Sequence, residues 1–324
     1  MQNDVKTLLL LGLTATISYY TLQRYQEYSK RKSYFSFLKN HKNIKEISKM
    51  DFNSYELDIL SNLVIPEKNF TTFDDIGGLD NIIQDLKDTI FFPLEASKLS
   101  FIGGNGHHSD IFSVPKGILL YGPPGTGKTM LARAIAHHCD YNFLTIDNSK
   151  LDSKWYGETE KMVSAMFSVA KKIQPTIIFI DEIDAMVSNR GEMEHEVSQS
   201  KKSLLLQFWD GFENSNNDRI IIMGATNRPN SIDPAFLRRL PKRIKVDLPD
   251  LNQRKHILQI ILKPYVDNNN FNYDKLANLT KGYSGSDLKE LCKNASMYFL
   301  RNKTKNDNKE LTLGLKDFEK VLQQ

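Results

Sequence analysis

The sequence predicts an α/β fold: a parallel-sheet core built around a phosphate-binding loop, a small all-helical domain behind it, and one transmembrane helix in front. Three observations lead there. The glycine-rich stretch Gly122–Thr129 joins an apolar pentapeptide to a helix-forming segment. The apolar run Thr176–Ile180 ends in carboxylates, the pattern of a strand buried on both faces of a parallel sheet. No charge occurs in the 17 residues between Lys6 and Arg24, which is the lower limit for a spanning helix of about 17–25 residues.

Composition sets the outer bounds. The 324 residues are 40% hydrophobic and 25% charged, ordinary for a globular chain of roughly two or three domains. A net charge of +4 with no arginine-rich block argues against a nucleic-acid partner. The two cysteines, Cys139 and Cys292, lie far apart, which fits a reducing compartment and offers no metal site.

Residues 1–32 read as an anchor with a basic flank. Thr7–Leu22 carries six leucines, Ile17, Tyr19 and Tyr20, and Arg24, Lys30, Arg31 and Lys32 follow. The charge lies on the wrong side for a cleaved signal peptide, and a surface helix would need a more polar face. A single-pass anchor in a lipid bilayer, with the C-terminal bulk in the cytosol, satisfies the positive-inside rule. Residues 33–73 form a linker, either a solvated tether or a small helical unit; Asn53–Leu63 has helical spacing and Pro66 ends it.

Residues 74–246 carry the chemistry. Gly117–Tyr121 is a strand, and Gly122-Pro123-Pro124-Gly125-Thr126-Gly127-Lys128-Thr129 is the P-loop that follows it. Its glycines let backbone N–H groups curl around a polyphosphate, and the helix behind adds partial positive charge. Lys128 is placed to reach the β- and γ-phosphates of ATP, and the Thr129 hydroxyl to ligate Mg²⁺. Tyr141–Ile146 is a short strand. Lys154, Trp155 and Tyr156 then break the pattern. One aromatic facing in and one out of a strand would explain them blandly; an exposed loop gripping polypeptide side chains explains them functionally.

A helix runs from Glu160 to Lys172, and the buried strand Thr176–Ile180 leads to Asp181 and Glu182. Asp181 is expected to hold Mg²⁺, largely through water, and Glu182 to polarise the attacking water. Ser188–Gln199 reads as a mobile loop. Its His195-Glu196 pair is not a zinc-protease motif, because position 199 is Gln. His107 and His108, in a glycine-rich loop, lack a partner at ligand spacing. Arg219–Thr226 is the next strand, and Asn227 at its tip has an amide suited to ordering the same water. Arg238 and Arg239 open a basic segment that alone would pass for a solvated turn. Ile244–Pro249 alternates as an edge strand does.

Residues 247–324 form the small helical domain. Helices are expected over Asn252–Leu262, Phe271–Leu279, Lys289–Arg301 and Leu315–Leu322, with Ser286 as N-cap of the third.

Residues 70–324 resemble the AAA family of ring ATPases, within the AAA+ class. The likeness rests on the P-loop, Asp181-Glu182, Ala225-Thr226-Asn227-Arg228-Pro229 and Gly282-Tyr283-Ser284-Gly285. Phe73–Leu79 and Arg238–Arg243 are similar to the branch that includes the katanins and spastins. Lys154–Gly157, the anchor and the short linker are similar to the mitochondrial-sorting translocases within it. The resemblance implies a homo-hexamer whose central pore is lined by Trp155 and Tyr156. It implies Asn227 as sensor, and Arg238 and Arg239 as fingers reaching the neighbour's ATP, with Arg243 a weaker candidate. It places Ile76, Gly77 and Gly285 on the adenine and ribose side. It also implies extraction of mislocalised tail-anchored proteins from the mitochondrial outer membrane, and often from peroxisomes. Two departures are a longer Gly103–Phe112 loop and Thr159 where Ser is expected. A severing or ESCRT-III-disassembling ATPase would need a longer bundle before the motor than residues 33–70 provide. A non-hydrolysing ATP-gated tether is the rival from another class, against which the intact catalytic set argues. A membrane protease lacks its metal motif here.

Overall fold

The computed structural model describes residues 44–64, 71–93, 115–146, 158–187, 196–213, 219–267, 270–303 and 313–323, with isolated positions between 18 and 32. Its centre is a six-stranded sheet in the order β1-β3-β4-β5-β2-β6. The strands are β1 (Leu63–Val64), β2 (Gly117–Tyr121), β3 (Asn142–Ile146), β4 (Thr176–Ile180), β5 (Ile220–Thr226) and β6 (Lys242–Lys245). All neighbours run parallel except β1, which pairs antiparallel with β3 at one edge. β6 is the opposite edge, as its alternation foretold, though it begins and ends earlier than expected.

The central strands β4 and β5 are buried end to end because helices cover both faces, whereas the edge strand β6 buries only Ile244. Among the described residues the twelve α-helices in chain order are α1 (Ile44–Ile47), α2 (Ser54–Leu60), α3 (Asp80–Leu86), α4 (Lys128–Cys139), α5 (Glu158–Lys172), α6 (Ile183–Val187), α7 (Glu196–Glu213), α8 (Pro234–Arg239), α9 (Leu251–Leu262), α10 (Tyr273–Leu279), α11 (Gly285–Lys303) and α12 (Leu315–Leu322). Side chains alternate across β2: Leu119 joins the layer of α1, α2, α5, α7 and α8, whereas Ile118 and Leu120 join that of α3 and α4. A third apolar cluster, centred on Leu258, Leu276, Leu288 and Phe318, closes the helical domain on itself.

One open alternative is decided and two expectations change. The linker segment 44–64 is no solvated tether: Ile47, Leu57, Ile59, Leu60 and Leu63 are buried in the same cluster as α5 and β4, and β1 extends the sheet. The N-cap of α11 is not Ser286. The helix begins at Gly285, and Ser284 exchanges hydrogen bonds with Asp287: Ser284 N and Oγ donate to its Oδ2 (2.9 and 2.8 Å), and Asp287 N donates to Ser284 Oγ (3.3 Å). A serine three residues before a carboxylate closes a capping box, which Ser286 cannot do. No helix among the described residues is long and apolar enough to cross a membrane, and the expected span Thr7–Leu22 lies almost wholly outside them. Glu196–Gln199, expected as loop, is the first turn of α7; residues 188–195 lie outside the described ones.

Candidate active site

Three adjacent strand tips meet. β5 lies between β4 and β2, with Thr226 level with Tyr121 and Gly224 level with Ile180. The ends of these strands therefore bring Asp181 and Glu182, Asn227, and the loop from Gly122 to one edge of the sheet, where open α/β sheets bind ligands. Gly122 is required there. Its φ is +148°, and a Cβ would lie 2.1 Å from the Val246 carbonyl oxygen, so the loop leaves β2 pressed against the chain beyond β6.

The loop is held by its own groups. Thr126 Oγ1 donates to Pro123 O (3.0 Å), and the buried Lys128 Nζ donates to Gly122 O (2.9 Å) and Pro123 O (2.6 Å). Burial pushes the Lys128 ammonium below its ordinary pKa, and the Asp181 carboxylate acts in the opposite direction. Gly125 and Gly127 both take left-handed φ just before α4, the backbone geometry with which successive N–H groups can face one anion. Pro124 completes the turn.

Thr129 Oγ1 donates to Asp181 Oδ2 at 2.9 Å, so the hydroxyl and carboxylate expected to share Mg²⁺ face one another. Both are hard oxygen donors. A pair of this size suits Mg²⁺, which takes one or two protein oxygens and completes its shell with phosphate and water. Asp181 Oδ1 accepts the Glu182 N–H (3.0 Å). Glu182 is exposed and sits at φ +47°, a left-handed conformation that only one other non-glycine described residue, Asp140, adopts.

The turn after β5 holds a contact that sequence reading missed. Thr226 Oγ1 donates to Asp184 Oδ1 (2.7 Å) and accepts the Arg228 N–H (2.9 Å), bracketing Asn227. The one available signal was spacing, since Asp184 follows Asp181 by about one helical turn.

The helical domain reaches the loop directly. Ser286 N donates to Gly125 O (3.1 Å), and Gly285 lies against the same carbonyl. Ile76 is buried, and Gly77 packs so closely on α9 that a Cβ would lie 2.8 Å from Ile257 N. Gly78 N donates to His256 Nδ1 (3.3 Å). The expected adenine-side residues therefore stand where the two domains join.

The two arginines part company. Arg239 Nε and Nη2 donate to Asp210 Oδ1 (2.5 Å) and Oδ2 (2.7 Å), and its Nη1 to Ala235 O (2.8 Å). Those bonds hold the Asp210 carboxyl below its ordinary range, against a smaller opposing effect of burial. Arg238, one residue earlier on α8, is exposed, with no such partner among the described residues. Arg243 Nη2 donates to Leu237 O (3.2 Å). Lys154, Trp155 and Tyr156, and the Gly103–Phe112 loop with His107 and His108, lie outside the described residues.

A sheet of this order, with the amide tip of β5 between the acidic tip of β4 and the P-loop that leaves β2, and a helical lid resting on that loop, defines a P-loop nucleoside triphosphatase. Residues 118–248 match the ATPase family associated with various cellular activities (AAA), and residues 270–313 match the AAA+ lid domain. The chain belongs to the AAA family of ATPases. It is 44% identical over 253 residues to the outer mitochondrial transmembrane helix translocase of Danio rerio, a match spanning 78% of this chain and 65% of that protein. It is 40% identical over 264 residues to the Homo sapiens protein of that name, spanning 82% and 72%. With the mitochondrial sorting homolog of Caenorhabditis elegans it shares 44% over 244 residues, 75% of this chain and 69% of the other. Among solved structures, the crystal structure of the FIGL-1 AAA domain superposes with a TM-score of 0.69 at 34% identity, covering 84% of this chain and 89% of that one.

Proposed function

We propose that this AAA ATPase is the motor of a membrane-anchored homo-hexameric translocase that extracts tail-anchored proteins from the mitochondrial outer membrane. The relatives' names support the membrane and the task, and the uncharged stretch before Arg24 supports a single anchor with the motor facing the cytosol. One observation carries the ring: the P-loop side of the site is complete within the chain, while the exposed Arg238 finds no acceptor among the described residues and is free to face a neighbour's phosphates.

In this reading Gly122–Thr129 cradles ATP, and Lys128 turns from its loop carbonyls toward the phosphates. Thr129 and Asp181 would hold Mg²⁺, which would supply positive charge against the phosphates. Glu182 draws a proton from the attacking water, with Asn227 fixing that water's position. A neighbour's Arg238 stabilises the transferring phosphoryl group, and Arg239 acts beside it by fixing α8 through Asp210. Because Ser286 N bonds to the P-loop at Gly125 O, a shift of the loop on phosphate loss is passed to the helical lid. Lys154, Trp155 and Tyr156 line the pore that the lid motion drives along the substrate. A span of about 20 apolar residues is more than one turnover withdraws, so repeated cycles are needed.

The test is extraction of a tail-anchored protein from liposomes by the full chain. Trp155→Ala should stop release while ATP turnover persists, and Glu182→Gln should stop both. Release that survives Trp155→Ala removes the pore reading; turnover unchanged in Glu182→Gln removes the motor itself and favours an ATP-gated tether.

A further inference from the structure

We propose that Asp184 and Thr226 form a positioning couple for hydrolysis: the Thr226 hydroxyl, oriented by Asp184, holds the turn that carries Asn227 against the turn that carries Glu182.

The geometry is a matter of one proton. A threonine hydroxyl has a single hydrogen to give and lone pairs with which to accept. An ionised carboxylate can only accept, so Asp184 takes that hydrogen at 2.7 Å and leaves the oxygen lone pair facing the Arg228 N–H at 2.9 Å. Thr226 is 1% exposed, and its hydroxyl has no water to fall back on. Were the hydrogen turned toward the Arg228 N–H, hydroxyl and N–H would meet as two donors, and the turn would open.

The placement gives this bond its reach. Thr226 ends β5, locked to the P-loop by Gly122 N donating to Thr226 O (3.2 Å). Asp184 is the second residue of α6, two residues beyond Glu182, and Ala185 N returns to Glu182 O (2.9 Å). One hydroxyl thus ties three segments: the loop through its backbone, the Glu182 turn through Asp184, and the Asn227 turn through Arg228 N. Asn227 sits between two fixed residues, so the backbone that carries its amide cannot shift without breaking a bond at either side. A displaced water-ordering amide is a loss in the transition state more than in nucleotide binding, so the effect belongs in kcat.

This rests on the roles given above to Glu182 and Asn227. The experiment measures ATP turnover, KM and affinity for a fluorescent ATP analogue in the full chain, with thermal unfolding alongside. Thr226→Val, nearly isosteric, should lower kcat about 10- to 50-fold while KM and analogue affinity stay within about threefold. Asp184→Ala should match it, and Thr226→Ser, which keeps the hydroxyl, should recover at least about a third of the wild-type rate. In an Asn227→Ala background, adding Thr226→Val should slow the enzyme by no more than about twofold, because the couple acts through Asn227. Should Thr226→Val fail to fold, Asp184→Ala and Asp184→Asn decide the matter by the same kinetics. Wild-type kcat in Thr226→Val beside a slow Asn227→Ala overturns the couple and leaves the site reading standing. Wild-type kcat in Asn227→Ala and Glu182→Gln as well overturns the site reading. Fully multiplicative losses in the double variant show that Thr226 does not work through Asn227, and also overturn the proposal.

Discussion

Lys172 Nζ donates to both carboxylate oxygens of Glu56 at 2.8 Å, joining the N-terminal helix α2 to α5, the helix that follows the expected pore segment. Ser168 Oγ (2.6 Å) and Asn53 N (2.8 Å) also donate to this carboxylate, which is almost fully buried. Burial by itself would raise the Glu56 pKa; the bonds from Lys172, Ser168 and Asn53 outweigh it and hold the carboxyl below its ordinary 4.5. A folded-state pKa below the unfolded one gives stability that is present above the unfolded value and lost as pH falls through the folded one. Glu56→Gln should therefore destabilise the chain by about 1–3 kcal/mol at pH 7, and the gap to wild type should shrink below about pH 4.5. Denaturant unfolding at pH 7 and pH 4 measures both.

Arg238 and Arg239 should separate by phenotype. Arg238→Ala should lower ATP turnover by about 10²-fold or more with unfolding temperature unchanged. Arg239→Ala should lower both, since it frees Asp210 and the end of α8. Mixing Arg238→Ala chains with Lys128→Ala chains should restore turnover above either alone, because each supplies the half-site the other lacks. Two inert populations that stay inert after mixing would contradict a shared site.

Gly77→Ala should pry the lid from the core. The added methyl meets backbone, 2.8 Å from Ile257 N, and no side chain can yield to admit it. Nucleotide affinity should fall, and amide exchange in α9 should quicken while β4 and β5 remain protected.

Cys292 should be inert in the folded chain. Burial pushes its thiol pKa up to about 12, so almost no thiolate exists at neutral pH, and Cys139 is buried as well. Iodoacetamide at pH 8 should leave both thiols intact in native protein and alkylate both after unfolding.

The elements legible in the sequence were those whose cause is local. The glycines and Lys128 of the P-loop, the apolar strands ending in Asp181 and Asn227, and the helix periodicities each lie within one window of chain. What was hidden joins distant windows: Glu56 finds Lys172 116 residues away, and Thr226 finds Asp184 42 residues away. No spacing rule announces such pairs, and a basic pair like Arg238-Arg239 gives no hint that one member is pinned to Asp210. The capping error at α11 was smaller in kind. Tyr283-Ser284-Gly285-Ser286 offers two serines, and only pairing with Asp287 selects between them.

Glu182 stands in a left-handed backbone conformation that costs an ordinary residue about 1 kcal/mol or more and suits asparagine better. Glu182→Asn should raise the unfolding temperature and abolish hydrolysis together. Drift under selection for folding alone would carry this position away from glutamate. A glutamate in this conformation is a mark of working use, written in stability forgone, and a library sorted for thermostability without an activity screen should lose this residue early.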